Sequence, residues 1–296
     1  MKVLVAGATG MLGGEIVRRL KSKGHAVRAI KRSASDPKRV AALEAAGVEF
    51  IQADLKDRQS LDQACVGMDG VISSVTAILS DRPDDNLQSV DLNGQKNLID
   101  AARASGAGRF VYISFSVHGD FPLEGAKRAV EAHLKRSGLV YTILQPSFFT
   151  EFWLGPNVGF DHEAGKVTIY GSGNQKISFI SFRDVAEFAA QSLENSSARN
   201  KEILLGGPDQ VSPLEAVKIF EAASGRGFEI QHVADDALRA QRAGAQNPVQ
   251  QSFAGLMLAN AQGDPIDMRE TLKSFSISLL SVKDFVRMVT AHPARS

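Results

Sequence analysis

Three glycines recur every third residue near the N-terminus, in Gly7-Ala8-Thr9-Gly10-Met11-Leu12-Gly13, behind the apolar run Val3 to Ala6 and ahead of an amphipathic stretch at 13–23. Each glycine has a separate job. Gly7 permits a tight turn off a strand, Gly10 lets backbone N–H groups approach a phosphate at the positive end of a helix, and Gly13 allows close helix-to-sheet contact. The chemistry expected is the cradling of a dinucleotide pyrophosphate by Gly7, Thr9, Gly10, Met11, Leu12 and Gly13. A ligand-free glycine turn would use the same residue types. Its position on a first strand, opening a βαβ series, is what favours the dinucleotide.

An NAD-selective site places an acidic residue at the end of the second strand, where it accepts bonds from the ribose 2′-OH. That point here reads Ala29-Ile30-Lys31-Arg32-Ser33. Cations cannot accept those bonds, whereas Arg32 can pair with a 2′-phosphate and Lys31 can add a point charge. NADP(H) is therefore expected, against the plainer reading of a solvated basic loop. Asp36 is suited to capping a helix that starts at Pro37. The third strand ends in Asp54-Leu55, where Asp54 is an adenine-side acceptor or a helix N-cap. Ser73, Ser74 and Val75 end the fourth strand and let a cofactor pass close to the sheet edge, or simply terminate the strand.

Alternating elements must position these groups. Candidate strands are Val3 to Ala6, Ala26 to Ile30, Val48 to Gln52, Gly70 to Val75, Arg109 to Ser114 and Leu139 to Leu144; helical patterns lie between them near 13–23, 37–46, 58–66, 85–105 and 123–137. The strands are apolar at nearly every position, as expected where helices cover both faces of a parallel sheet. The fold class is α/β, a doubly wound parallel sheet over 1–150, followed by a smaller C-terminal α+β substrate region over 151–296. In that region Val167–Tyr170, Ile177–Ile180, Lys201–Leu205 and Phe228–His232 read as strands; 213–223, 233–244, 248–260 and 281–290 read as helices. Some of its segments are expected to return to the main sheet.

Composition narrows the class. Of 296 residues 44% are hydrophobic and 23% charged, and 34 Lys+Arg against 33 Asp+Glu leave a formal charge of +1. Such a balance suits a globular protein with a sizeable core and offers no long-range field for nucleic acid or anionic lipid. The single cysteine, Cys65, excludes zinc sites built from several thiolates and is read as packing, in a reducing cytoplasm. No run of about 18 apolar residues occurs, so a membrane-spanning helix is not expected.

Taken together, GATGMLG, the basic pair Lys31-Arg32, GRFVYIS (108–114), AKRAVEAHLKRSGLVYTILQP (126–146), SFRDVAEF (181–188) and GDPIDMRETLKSF (263–275) resemble the NmrA-like members of the atypical short-chain dehydrogenase/reductases. The likeness spans essentially the whole chain. It implies a Rossmann domain holding NADP(H), an adenine-pocket role for Asp54-Leu55 and, for the enzymes of the group, hydride transfer to small acceptors such as quinones or aromatic alkenes. Other NmrA-like proteins bind the dinucleotide as redox sensors. Carbonyl-reducing relatives in the wider group carry Tyr-x-x-x-Lys, in which the tyrosine exchanges the proton. Here Lys127 stands at the lysine position, but Leu123 occupies the tyrosine's place, and no tyrosine of this chain precedes a lysine by four.

Leu123, Lys127, Val130 and Leu134 fall on one helical stripe, so Lys127 is expected to face inward. Its partner would be a cofactor ribose or a developing oxyanion, which makes it a catalytic and cofactor-binding candidate; Glu124 or Glu131 would serve if the lysine only snorkels. Ser114, Ser116 and His118 follow the fifth strand. His118 is a candidate proton donor or a surface residue, and Phe115 either stacks near the nicotinamide or fills core. Pro146 and Phe148 end the sixth strand at the turn that lines the nicotinamide in related enzymes. Phe148, Phe149, Phe152 and Trp153, with Met257 and Leu258, make either core or the wall of an apolar acceptor pocket. The expected function is an NADPH-dependent oxidoreductase transferring hydride to a small conjugated acceptor such as a quinone, apolar or aromatic in character, with a non-catalytic NADP(H)-binding redox sensor as the alternative.

Overall fold

The structure, a computed structural model, describes residues 1–291. By contacts the chain divides into two interleaved units, the first comprising 1–115, 122–145 and 185–203, the second 116–121, 146–184 and 204–296. The seven-stranded sheet runs, in spatial order, through Glu49–Gln52, Ala26–Lys31, Lys2–Ala6, Gly70–Ser73, Arg109–Ile113, Tyr141–Pro146 and Lys201–Leu205, with its first six strands mutually parallel. Its early elements are β1 (Lys2–Ala6), α1 (Met11–Ser22), β2 (Ala26–Lys31), α2 (Pro37–Ala45), β3 (Glu49–Gln52), α3 (Arg58–Cys65) and β4 (Gly70–Ser73). A π-helix (Leu87–Gly94), α4 (Gln95–Ala104), β5 (Arg109–Ile113), α5 (Pro122–Arg136) and β6 (Tyr141–Pro146) follow. This is the expected doubly wound fold. β1 is buried from Val3 to Ala6, and α1 presents Gly13, Ile16, Val17 and Leu20 inward. Core packing gathers Leu4, Leu98, Ile99, Phe110, Tyr112 and Ile143.

The later elements are α6 (Thr150–Trp153), β7 (Phe160–Asp161), β8 (Lys166–Tyr170), α7 (Phe182–Ser192), β9 (Lys201–Leu205), α8 (Pro213–Ser224), β10 (Glu229–Val233), α9 (Asp235–Ala243), α10 (Pro248–Gln262), α11 (Arg269–Ser274) and α12 (Val282–Ala291). β10, β8 and β7 form the small mixed sheet. A Ser212–Glu215 capping box with Pro213 at the first helical position fixes the start of α8.

Two expectations fail locally. The single helix over 85–105 is a π-helix running into α4. An Asn86–Ser89 capping box starts it, and it ends at Gly94, where a Cβ would lie 2.8 Å from Leu55 Cβ. The Ile177–Ile180 run is buried but makes only isolated bridges, from Ile177 to Val211 and Asp264 and from Ile180 to Phe149. Its neighbours change within four residues, so no ladder forms. Helices α6, α7 and α11 were not expected from the pattern.

Candidate functional site: a glycine loop, a basic cluster and a buried lysine

The loop after β1 is built for close approach. Gly7 has φ +88°, a region where only glycine is unstrained, and a Cβ there would lie 2.8 Å from Ser74 Oγ. The Gly10 amide donates to the Gly7 carbonyl at 2.9 Å. At Gly13 a Cβ would stand 1.9 Å from the Gly7 carbonyl oxygen, so the helix start touches the turn. Gly10 is the N-cap of α1 in extended conformation, and no side chain caps this helix end. Orphan N–H groups and the positive end of the dipole suit a pyrophosphate. Met11 is 50% exposed, whereas Thr9 and Leu12 are half-buried.

Basic side chains gather beyond β2. Arg32 Nη1 lies 2.6 Å from Asp85 Oδ2, Lys56 Nζ 2.9 Å from Oδ1, and Ser80 Oγ donates to Oδ2 at 2.9 Å. Burial alone would raise the Asp85 carboxyl; hydrogen bonds from Arg32, Lys56 and Ser80 hold it well below its ordinary value. Asp85 fixes one edge of the Arg32 fork, and the guanidinium's remaining donors suit a 2′-phosphate. Lys31 goes elsewhere, to Glu44 at 3.2 Å and over the Phe50 ring at 5.2 Å. A cation that the sequence reading missed, Arg39 at the start of α2, reaches the Thr9 carbonyl at 2.8 Å. Asp57, not Asp54, caps α3, while Asp54 Oδ1 accepts the Lys56 amide at 2.9 Å and Leu55 is buried beside it. Ser74 Oγ donates to the Ala6 carbonyl at 3.3 Å; Ser73 is spent on Gln95, whose amide in turn donates to the Val75 carbonyl.

Lys127 is 5% exposed and donates to the Ile113 carbonyl at 3.2 Å, the last residue of β5. Neither Glu124 nor Glu131 pairs with it, because Arg128 holds both, at 3.3 and 2.6 Å. Arg128 also donates to the Phe115 carbonyl at 2.9 Å and lies 5.4 Å from the Phe115 ring centroid. Burial pulls the Lys127 amine below its ordinary value, partly countered by the charges of Asp91 and Glu131. Tyr112 contributes its ring, 5.1 Å from Lys127 Nζ, and burial raises its phenol far out of the useful range. The buried hydroxyl of Ser114 makes no hydrogen bond.

In the second unit, Ser116 Oγ donates to Asp264 Oδ2 at 2.5 Å, and the Ser116 amide to the Pro146 carbonyl at 3.0 Å. His118 is exposed, and Pro146 is buried. Phe148 is buried edge-on against Trp153 at 4.7 Å; Trp153, Phe152, Met257 and Leu258 share one apolar cluster. Tyr170 donates its hydroxyl to the Val158 carbonyl. In the first unit Cys65 is buried and its thiol is pushed up to about 12, first by burial, so it stays protonated. Among the described residues no cluster of three His, Cys, Asp or Glu could hold a metal, and no helix is long and apolar enough to cross a membrane. Glycine loop, uncapped α1 and Arg32 together fit NADP(H).

The model of the NmrA-like family matches residues 1–277. The chain belongs to the NmrA-like family. Among its relatives, the photosystem II assembly factor Ycf39 of Synechocystis sp. (strain ATCC 27184 / PCC 6803 / Kazusa) is 30% identical over 82% of this chain and 73% of its own. An NAD(P)H azoreductase of Xenophilus azovorans is 28% identical over 99% and 94%. Among solved structures, an NADPH-dependent quinone oxidoreductase of Escherichia coli, complexed with NADPH, superposes with a TM-score of 0.78 over 97% of this NmrA-like chain and 99% of its own, at 23% identity.

Proposed function

We propose that this NmrA-like protein is an NADPH-dependent reductase of a small conjugated acceptor, of the quinone class. The observation that carries the reading is Lys127, an ammonium kept in the interior at the carboxyl end of β5, where doubly wound sheets place their ligands. Gly7, Gly10 and Gly13 would take the pyrophosphate, and Arg32, with Arg39 in place of Lys31, the 2′-phosphate. NADPH supplies the hydride when bound. Lys127 orients the reacting end and donates a hydrogen bond to the oxyanion that develops on the acceptor. A quinone takes one hydride from NADPH and one proton from water, giving quinol and NADP+. That balance tolerates Leu123 in the place of a tyrosine. The family likeness and the NADPH-bound quinone oxidoreductase support this choice of cofactor and acceptor class.

A second reading is favoured by the same Leu123: an NADP(H)-binding regulator without turnover, in line with the relative named as an assembly factor. Titration with NADPH and NADH, followed in the same cuvette by nicotinamide absorbance on adding quinones and enones, separates the two. NADPH-selective binding with oxidation is the expected result. Tight binding without oxidation across the panel overturns the reductase and leaves the regulator.

A further inference from the structure

Asp91 is fully buried, and nothing in the proposed reaction uses it. It lies in the π-helix Leu87–Gly94, which packs against α5, the helix that carries Lys127. One carboxylate oxygen, Oδ2, accepts the Ala77 amide at 2.9 Å; the other, Oδ1, is buried with no hydrogen-bond partner. A carboxylate half satisfied in the interior is costly unless an opposite charge compensates it. On the facing helix the matching deficit exists. The Lys127 ammonium has three donors, and Ile113 takes one.

Beside the Ala77 amide, the Thr76 hydroxyl also favours the Asp91 carboxylate. Glu131 and Arg128 lie on α5, but they bond each other at 2.6 Å and Glu131 also accepts from Gln145. Tyr112 on β5 offers its ring to Lys127. Asp85, ahead of the π-helix, is neutralised by Arg32 and Lys56. Burial raises the Asp91 carboxyl and lowers the Lys127 amine, and in each case the other member's charge works against that shift. Asp91 shares the buried face of the π-helix with Leu87, Val90 and Gly94.

We propose that Asp91 is a positioning residue for Lys127: its buried carboxylate is the counter-charge that, across the packed helices and without a direct ion pair, keeps the ammonium bonded to Ile113 at the carboxyl end of β5. The assignment rests on the reading of Lys127 as the group that stabilises the acceptor oxyanion. Lys127 gives up no proton in this scheme, so Asp91 acts by opposing the desolvation that burial imposes on the ammonium.

Asp91→Asn tests this, because asparagine keeps an oxygen for the Ala77 amide and exchanges the unpartnered Oδ1 for a neutral NH2 of similar size. With NADPH and a naphthoquinone, kcat falls at least tenfold while the KM for NADPH stays within twofold. The basic limb of the kcat–pH profile moves to lower pH, since Lys127 loses the charge that opposes its desolvation; Glu131 and Arg128 are unchanged in both proteins. On a Lys127→Met background the same Asp91→Asn substitution costs no further activity. Wild-type kcat in Asp91→Asn, or an equal fold-loss on both backgrounds, overturns the proposal. A thermal-unfolding cycle reads the same pair without turnover, so it separates this inference from the reductase reading. Asp91→Asn alone strands a buried ammonium, and adding Lys127→Met must recover part of the lost Tm. A double variant no more stable than Asp91→Asn overturns the pairing, whatever the enzyme reduces.

Discussion

Replacing Gly13 by alanine should unseat the loop, and the size of the effect follows from the geometry. The new Cβ would stand 1.9 Å from the Gly7 carbonyl oxygen, 2.5 Å from its carbon and 2.9 Å from the Ala8 nitrogen, all backbone atoms that no rotamer can move aside. Reaching even the 3.0 Å contact floor requires the helix start and the turn to separate by about 1.1 Å, the difference of the two distances. Ile16, Val17 and Leu20 would be dragged off the sheet with it. Overpacking of this kind costs about 3 kcal/mol, a Tm loss of roughly 5 °C for a chain this long. The displaced helix start would also lose about 2 kcal/mol of charge-assisted bonding to the pyrophosphate, roughly thirtyfold in NADPH affinity. The neighbouring position is the control. A Cβ at Gly14 meets only the Ala8 carbonyl at 3.5 Å, an ordinary contact, so Gly14→Ala should gain about 0.5–1 kcal/mol from helix propensity. Thermal unfolding and fluorescence titration with NADPH measure both. Gly13→Ala with wild-type Tm and wild-type NADPH affinity would refute the reasoning.

Arg32→Gln removes the fork without setting a second carboxylate beside Asp85, and should lower the NADPH-to-NADH affinity ratio by about 2 kcal/mol, roughly thirtyfold; an unchanged ratio means Arg32 does not read the 2′-phosphate. Asp85→Asn tests linkage. Because the folded carboxyl is held below its ordinary value, the stability it adds is fully present above the unfolded value and is lost as pH falls through the folded one. The Tm gap to wild type should therefore be constant above about pH 5 and close below about pH 4, with a plateau of only about 1–2 kcal/mol because Arg32 stays 37% and Lys56 28% exposed. Arg109 donates to the carbonyls of Leu193 at 2.9 Å, Ser192 at 2.6 Å and Asn195 at 3.1 Å, closing the end of α7. Arg109→Met should cost about 3 kcal/mol in chemical unfolding with NADPH affinity unchanged, and a loss of affinity instead would place Arg109 in the nucleotide site.

Local rules made the sheet legible. Runs such as Val3–Ala6 can only sit between two helix layers, and the glycine spacing needs no distant partner to be read. What escaped was set by residues far apart in the chain. Asp85 meets Arg32 from 53 positions away, and without it sequence assigns both Lys31 and Arg32 to the phosphate. In the structure the strand's alternation sends Lys31 to Glu44 and Arg32 to the loop side. Burial of Lys127 was readable from the stripe it shares with Leu123, Val130 and Leu134, but its acceptor was not. Arg128, the next residue, takes the two glutamates that sequence offered as partners, because it projects from the adjacent position of the same turn.

The π-helix is the least legible feature and bears most on the chemistry. Leu87, Val90 and Gly94 fit an α-helical stripe nearly as well, so periodicity alone cannot report one extra residue per turn. Asp91 lies on that same buried stripe, at a position where an apolar side chain would be expected. A sequence that accepts a buried carboxylate on one element and a buried ammonium on the facing one bears two desolvation penalties that hydrophobic residues of similar volume would avoid. Neither charge caps a helix. That cost, set at the strand end where a ligand belongs, is the physical reason to read the pair as functional instead of structural.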